Sequence, residues 1–224
     1  MRRAAFTLVE LLVVVAVIGV LAALVVAGAG AAREQAASTR CLANLRQWSV
    51  ALIAYAAEHE GETPRRGQGV RPLTKIDRPE DWFNALPPYA GLPSYRDLVR
   101  RGQRIRPDDG TLFACPRAVD TGDTCFLPYG MNRELSPTDR ARPHRLSEIA
   151  HPARVVFLAD APGPYSSTRP AVQGYSVAAR HGGRANVVFL DGHAMSFEAA
   201  YIGAGSGDPH REDIQWEPQA AADQ

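Results

Sequence analysis

"FTLVELLVVVAVIGVLAALVVAGAGAA", residues Phe6 to Ala32, carries a single ionisable side chain, Glu10. From Leu11 to Ala32 there is no charge, and about 20 apolar residues suffice for a helix to cross a hydrocarbon core of roughly 30 Å. A carboxylate in such a span costs on the order of 2–3 kcal/mol even on lenient insertion scales, so Glu10 calls for a partner. Arg2 and Arg3 precede the run. Basic residues favour the cytoplasmic side, which predicts the amino terminus inside and the chain from Arg33 onward outside. A secretory signal peptide cut within "AGAGAA" (Ala27 to Ala32) is the competing reading. Against it, the run is longer than the 7–15 residues of an h-region, and Glu10 stands where such a peptide is apolar.

The chain of 224 residues accommodates one ordinary domain beside a membrane anchor. Lys+Arg 25 against Asp+Glu 24 leaves no net field to steer nucleic acid. The basic stretch "RDLVRRGQRIR" (96–106) reads as a solvated face, because acidic residues are interspersed around it and no binding module is visible. No P-loop, nucleophile elbow or metalloprotease pattern occurs, which argues against an enzyme. The three cysteines, Cys41, Cys115 and Cys125, show no Cys-x-x-Cys spacing and so no structural zinc signature. Outside the cytoplasm a bridge is allowed, and Cys115 with Cys125, which flank a short loop, is the expected pair, with Cys41 left over.

Beyond Ala32 the pattern turns amphipathic. Cys41, Leu45, Trp48, Leu52 and Tyr55 follow at steps of 4, 3, 4 and 3 and share one helical face. No proline precedes Pro64, and "EGETP" (60–64) supplies the stop. A helix from about Phe6 to Glu58 would be roughly 80 Å long at ~1.5 Å per residue. A break at Gly28 and Gly30 is the alternative, each glycine costing up to ~1 kcal/mol in a helix.

From Arg65 to about Ala150 proline, arginine, aspartate and glycine predict loops and short helical turns, with Trp82, Phe83 and Leu86 packing on the helix. Strands follow in "ARVVFLAD" (153–160) and "ANVVFLDGHAMSF" (185–197), the second folded at the hairpin signal Asp191-Gly192. At least three strands result, with the amphipathic half of the helix as their cover. From Gly203 the chain is small and polar apart from Ile214 and Trp216, and is expected to be flexible.

"AAFTLVELLVVVAVIGVLAALVV" resembles the amino terminus of type IV prepilins and type II secretion pseudopilins in its basic leader, its phenylalanine and a glutamate fifth from it. The resemblance implies cleavage by a prepilin peptidase between Ala5 and Phe6, with methylation of the new Phe6 amine. Ala5 departs from the usual glycine before the cut. It further implies that Glu10 neutralises the Phe6 amine of a neighbouring subunit during assembly, burying two charges together. Pairing within one chain is the alternative, since Phe6 and Glu10 are i,i+4 neighbours and a carboxylate is favoured at a helix amino terminus.

A second resemblance lies in "HGGRANVVFLDGHA", where His181 is followed after nine residues by Asp191-Gly192, similar to the H-X9-DG domain at the carboxyl terminus of many prepilin-like proteins. "NLRQWSVALIAYAAEHEGETP", "FACP" and "YGMN" are similar to that family as well. Asp160 and Asp191, with neighbouring carbonyls, are candidate ligands for calcium, as in calcium-binding pseudopilins. A purely conformational turn at Asp191-Gly192 is the alternative. No other cofactor is expected.

The expectation is therefore an α+β, pilin-like fold, a long amino-terminal helix packed on a small antiparallel sheet. Its parts are a leader (1–5), a membrane part of the helix (6–32), an amphipathic stalk (33–60), an extracytoplasmic H-X9-DG domain (61–202) and a flexible tail (203–224). The expected function is a structural subunit of a type IV pilus or pseudopilus-like assembly in the inner membrane. Its partners would be the prepilin peptidase and other prepilin-like subunits, with no nucleic acid expected. A membrane-anchored binding module that forms no filament is the other class, and Glu10 favours the first.

Overall fold

The computed structural model describes residues 7–67, 76–122, 125–136 and 142–221. The leader and the Ala5–Phe6 junction, with the methylation position, lie outside them. The chain forms two compact units, Met1–Ala36 and Ala37–Gln224.

In the first unit the described residues enter helix α1 (Leu8–Glu58), which continues through Gly28 and Gly30 without the break the glycines allowed. Leucine, isoleucine and valine side chains from Leu8 to Val25 are exposed, Leu8 by 79%. That exposure suits lipid or neighbouring helices and no water-facing role. Among the described residues α1 is the one helix long and apolar enough to cross a membrane.

In the second unit the remainder of α1 presents the predicted face. Cys41, Leu45, Trp48, Leu52 and Tyr55 are all buried in one core. Helix α2 (Trp82–Ala85) sets Trp82 edge-on to Trp48, ring centroids 5.7 Å apart. Helix α3 (Tyr95–Arg100) is capped by Ser94, whose side chain accepts from the Asp97 amide. Five strands follow: β1 (Leu127–Asn132), β2 (Val156–Gly163), β3 (Ser167–Thr168), β4 (Arg184–Phe189) and β5 (Ala194–Glu198), in the spatial order β3-β1-β2-β4-β5. All pairs are antiparallel except β1 with β3. Helix α4 (Ala199–Ile202) follows β5. The architecture is α+β, a long amino-terminal helix with a mostly antiparallel sheet, as pilin-like folds have.

Strand β1 lies in the region expected to be loops. Its sequence "LPYGMN" contains Pro128 and Gly130, residue types that ordinarily mark turns. The glycine is there for close approach: a Cβ at Gly130 would meet Thr168 Cβ at 3.0 Å and Ala161 Cβ at 3.1 Å. A strand interior uses glycine where neighbouring chains come this near.

The central strands β1, β2 and β4 are buried on both faces, and this overturns the flexible-tail expectation. Leu158, Val188 and Leu190 pack with the α1 face, whereas Val156, Ala159, Ala185, Val187 and Phe189 pack with Ile202, Ile214 and Trp216. Ile214 and Trp216 are buried, and Gln215 accepts from the Val156 amide (3.0 Å) while donating to the Arg154 carbonyl (2.8 Å). Asn132 Nδ2 donates to the carbonyls of Val156 and Trp216, each at 2.8 Å. Two apolar faces need two covers, and the carboxyl-terminal segment supplies the second.

Candidate functional site

At the amino terminus the chain uses Glu10 locally. Thr7 precedes the helix, and both its amide and its hydroxyl donate to Glu10 Oε2 at 2.8 Å. The Glu10 amide donates back to Thr7 Oγ1 at 3.2 Å. This is a reciprocal capping box, Thr-x-x-Glu, that satisfies amides otherwise orphaned at a helix start. The signal stands in the sequence as Thr7-Leu8-Val9-Glu10, where the expectation considered only the Phe6 amine as partner.

His181 and Asp191-Gly192 sit at opposite ends of β4. His181 and Arg184 exchange backbone hydrogen bonds of 3.0 and 3.1 Å across Gly182 and Gly183, both at positive φ. At the far end Asp191 Oδ1 accepts from the His193 amide (3.1 Å) and lies 2.6 Å from His193 Nδ1. The His193 ring stacks on Phe189, centroids 4.2 Å apart. Nine intervening residues are thus one strand with a turn at each end.

The two aspartates proposed to share a cation are separated. In the β2–β4 ladder Ala159 is opposite Val187, so Asp160 lies beside Asn186, whose amide donates to Asp160 Oδ2 at 2.8 Å. Asp191 instead follows Phe189, which pairs with Val156 at the other end of the ladder. Asp160 is fully buried and Asp191 is exposed. Among the described residues they share no partner, and the calcium reading of this pair is corrected accordingly.

What Asp160 does face is a buried polar cluster beneath α1. His181 Nε2 lies 3.5 Å from Asp160 Oδ2 and 3.6 Å from Cys115 Sγ. Cys115 Sγ lies 2.7 Å from Cys41 Sγ. The Arg180 guanidinium stands 4.0 Å from Asp160 Oδ1. Tyr129 Oη donates to the Ala114 carbonyl at 3.2 Å, and Asn44 Nδ2 donates to the same carbonyl at 2.9 Å. The expected Cys115–Cys125 bridge is therefore not the pair the fold brings together. The 110–116 loop lies on α1 instead, held by Trp48 Nε1 donating to the Leu112 carbonyl (3.1 Å) and by Phe113 against Trp48. Periodicity had already turned Cys41 inward with Leu45 and Trp48, which was the available clue.

Burial dominates the electrostatics here. It pushes the Asp160 carboxyl up to about 7, a rise that Arg180 and His181 oppose and Cys115 assists. The Cys41 thiol is raised by its hydrogen bond to Cys115 and by burial, and the Cys115 thiol is lowered chiefly by its hydrogen bond from Cys41. Burial disfavours charged His181, but its contact with Cys115 and the charge of Asp160 outweigh this and raise it. Cysteine, histidine and aspartate are the components of a nucleophilic triad. In this cluster thiol and carboxylate converge on the same imidazole nitrogen, and all of Cys41, Cys115, Asp160 and His181 are at most 3% exposed. A triad instead sets nucleophile and carboxylate on opposite ring nitrogens, and it opens to substrate where this cluster is buried.

An apolar helix of membrane-crossing length together with an α+β domain is an arrangement consistent with a pilin-like fold. Residues 1–26 match the family model of the prokaryotic N-terminal methylation motif, so the chain is prepilin-like at its amino terminus and carries the signature of a prepilin peptidase substrate. No curated protein and no solved structure matches the chain. Helix and motif together fit a membrane-anchored protein.

Proposed function

We propose that this chain is a non-enzymatic structural subunit of a type IV pilus or type II secretion pseudopilus-like assembly. It is cut by the prepilin peptidase between Ala5 and Phe6, methylated on Phe6, and held in the inner membrane with its amino terminus in the cytoplasm. The domain beyond Arg33, of H-X9-DG type, lies outside, and the subunit assembles with its own kind or with other prepilin-like subunits through α1 and Glu10. The observation that carries this reading is the methylation motif over residues 1–26. Mass spectrometry of the mature amino terminus, with and without the peptidase, tests it. An N-methylated Phe6 that disappears in the peptidase-deficient strain is expected, and a cut near Ala32 would refute it.

One observation favours the second class, a membrane-anchored binding module. Because the Thr7–Glu10 capping box already occupies the carboxylate, Glu10 has a use that needs no neighbouring subunit. Self-association in the membrane separates the two classes.

A further inference from the structure

We propose that Cys41 and Cys115 form a disulfide that fastens the stalk part of α1 to the 110–116 loop. Their sulfurs lie 2.7 Å apart, well inside the contact distance of two unbonded sulfur atoms and close to the covalent ~2.05 Å. Both side chains are fully buried within the second unit, and they stand 74 positions apart in sequence. As two thiols they add ionisable groups to a pocket that already buries Asp160 and His181, with Asp160 facing Cys115 as a like charge whenever both are ionised. Joined, they no longer add ionisable thiols to a cluster that holds Asp160, His181, Arg180 and Tyr129. The bond therefore removes an electrostatic conflict as well as a steric one.

A metal ion is the competing occupant, because Cys41, Cys115 and His181 offer ligand atoms within 4.8 Å of one another. Tetrahedral zinc with Zn–S bonds of ~2.3 Å would hold its two sulfurs about 3.8 Å apart. The observed separation is about an ångström too short for that arrangement and favours the covalent one.

The chemistry balances as thiol–disulfide exchange. Two thiols lose two protons and two electrons, and the electrons reduce the disulfide of an extracytoplasmic dithiol oxidoreductase to two thiols. The Cys115 thiolate attacks one sulfur of the oxidant and expels the other as thiolate. Cys41 then attacks Cys115 Sγ and displaces the oxidant. Since both sulfurs are buried in the folded domain, the exchange takes place before the 110–116 loop closes over α1.

In cells the proposal rests on the domain lying outside the cytoplasm, so two arms are needed. In the first, the full chain is purified in detergent, reduced, unfolded and refolded with glutathione disulfide, and separately with zinc, and its cysteines are mapped by differential alkylation and mass spectrometry. A Cys41–Cys115 link that persists in a Cys125→Ala variant is expected. Its melting midpoint should fall by several degrees with reductant, and that fall should vanish in the C41A/C115A double variant. A Cys115–Cys125 link, free thiols, or stoichiometric zinc with both thiols shielded from alkylation would overturn the proposal. In the second arm the chain is trapped with alkylating reagent in intact cells and its domain probed with external protease. Free Cys41 and Cys115 in a protease-accessible domain would overturn the disulfide. The same thiols in a protected domain would overturn the proposed orientation, leaving the first arm to decide the bond.

Discussion

Gly192 and Asp160 show how differently single residues of one region are constrained. Gly192 has φ +95°, and a Cβ there would meet Ser49 Oγ at 3.2 Å. Holding a residue with a side chain in such a conformation costs roughly 1–3 kcal/mol, so Gly192→Ala should lower unfolding stability by about that much in denaturant titrations of the full chain in detergent. Asp191→Asn should be nearly neutral, because an amide oxygen accepts from the His193 amide as a carboxylate does. Equal losses from both variants would mean that the Asp191 charge holds the turn as much as the backbone conformation does. Asp160 is constrained by burial. With its carboxyl raised to about 7 from an ordinary ~3.9, the folded chain keeps the proton over a pH range in which the unfolded chain has lost it. The aspartate's contribution to stability is therefore complete below about pH 4 and is lost as pH rises towards 7. Arg180 and His181 face this carboxyl and temper the effect, whereas an ionised Cys115 adds to it. Asp160→Asn, which can still accept from the Asn186 amide, should flatten the decline in melting midpoint between pH 4 and 7. An unchanged profile would show that Asp160 ionises normally.

At the scale of elements, legibility followed the strength of the local pattern. The buried face of α1 from Cys41 to Tyr55 stood out because five apolar residues repeat at helical spacing. Strands β2, β4 and β5 stood out because their β-branched and aromatic runs are bounded by turn signals. Strand β1 did not, since Gly130 serves the crowding around Ala161 and Thr168, and crowding by distant residues leaves no local trace. The pairing of Cys41 with Cys115 was hidden for the same reason: nearness in sequence favoured Cys125, and the 110–116 loop is placed by contacts with Asn44 and Trp48. The carboxyl-terminal segment was misread because its polar composition outweighs two apolar residues. Yet the near-continuous apolar runs "VVFLA" and "NVVFL" are what strands covered on both faces look like, and a second cover had to come from somewhere. Trp216 should then matter as a core residue. Trp216→Ala should cost about 3–5 kcal/mol of unfolding free energy and expose the chain after Gly203 to limited proteolysis. A melting midpoint and digestion pattern like the wild type's would restore the flexible reading of this segment.

For the whole molecule, the open matter is whether Glu10 serves one chain or two, and the capping box provides a way to separate these roles. Glutamine is accepted at the third helical position of a capping box as glutamate is. Glu10→Gln should therefore keep the Thr7 interactions and the start of α1 while removing the charge, whereas Glu10→Ala removes both. Neither variant adds a charge to the span, so membrane insertion should be retained or improved. If Glu10 neutralises the Phe6 amine of a neighbour, both variants should lose self-association to the same degree in membrane cross-linking, because a neutral amide leaves that amine unpaired in lipid. If Glu10 is only a cap, Glu10→Gln should cross-link as the wild type does and Glu10→Ala alone should weaken, by no more than the roughly 0.5–2 kcal/mol that a cap contributes. The exposed leucine and valine side chains from Leu8 to Val25 are identical in all three proteins, so their packing against lipid or other helices cancels in the comparison. Equal loss in the two variants is the expected result. Wild-type cross-linking by Glu10→Gln would remove the intersubunit charge pair and leave the membrane-anchored binding module as the better account.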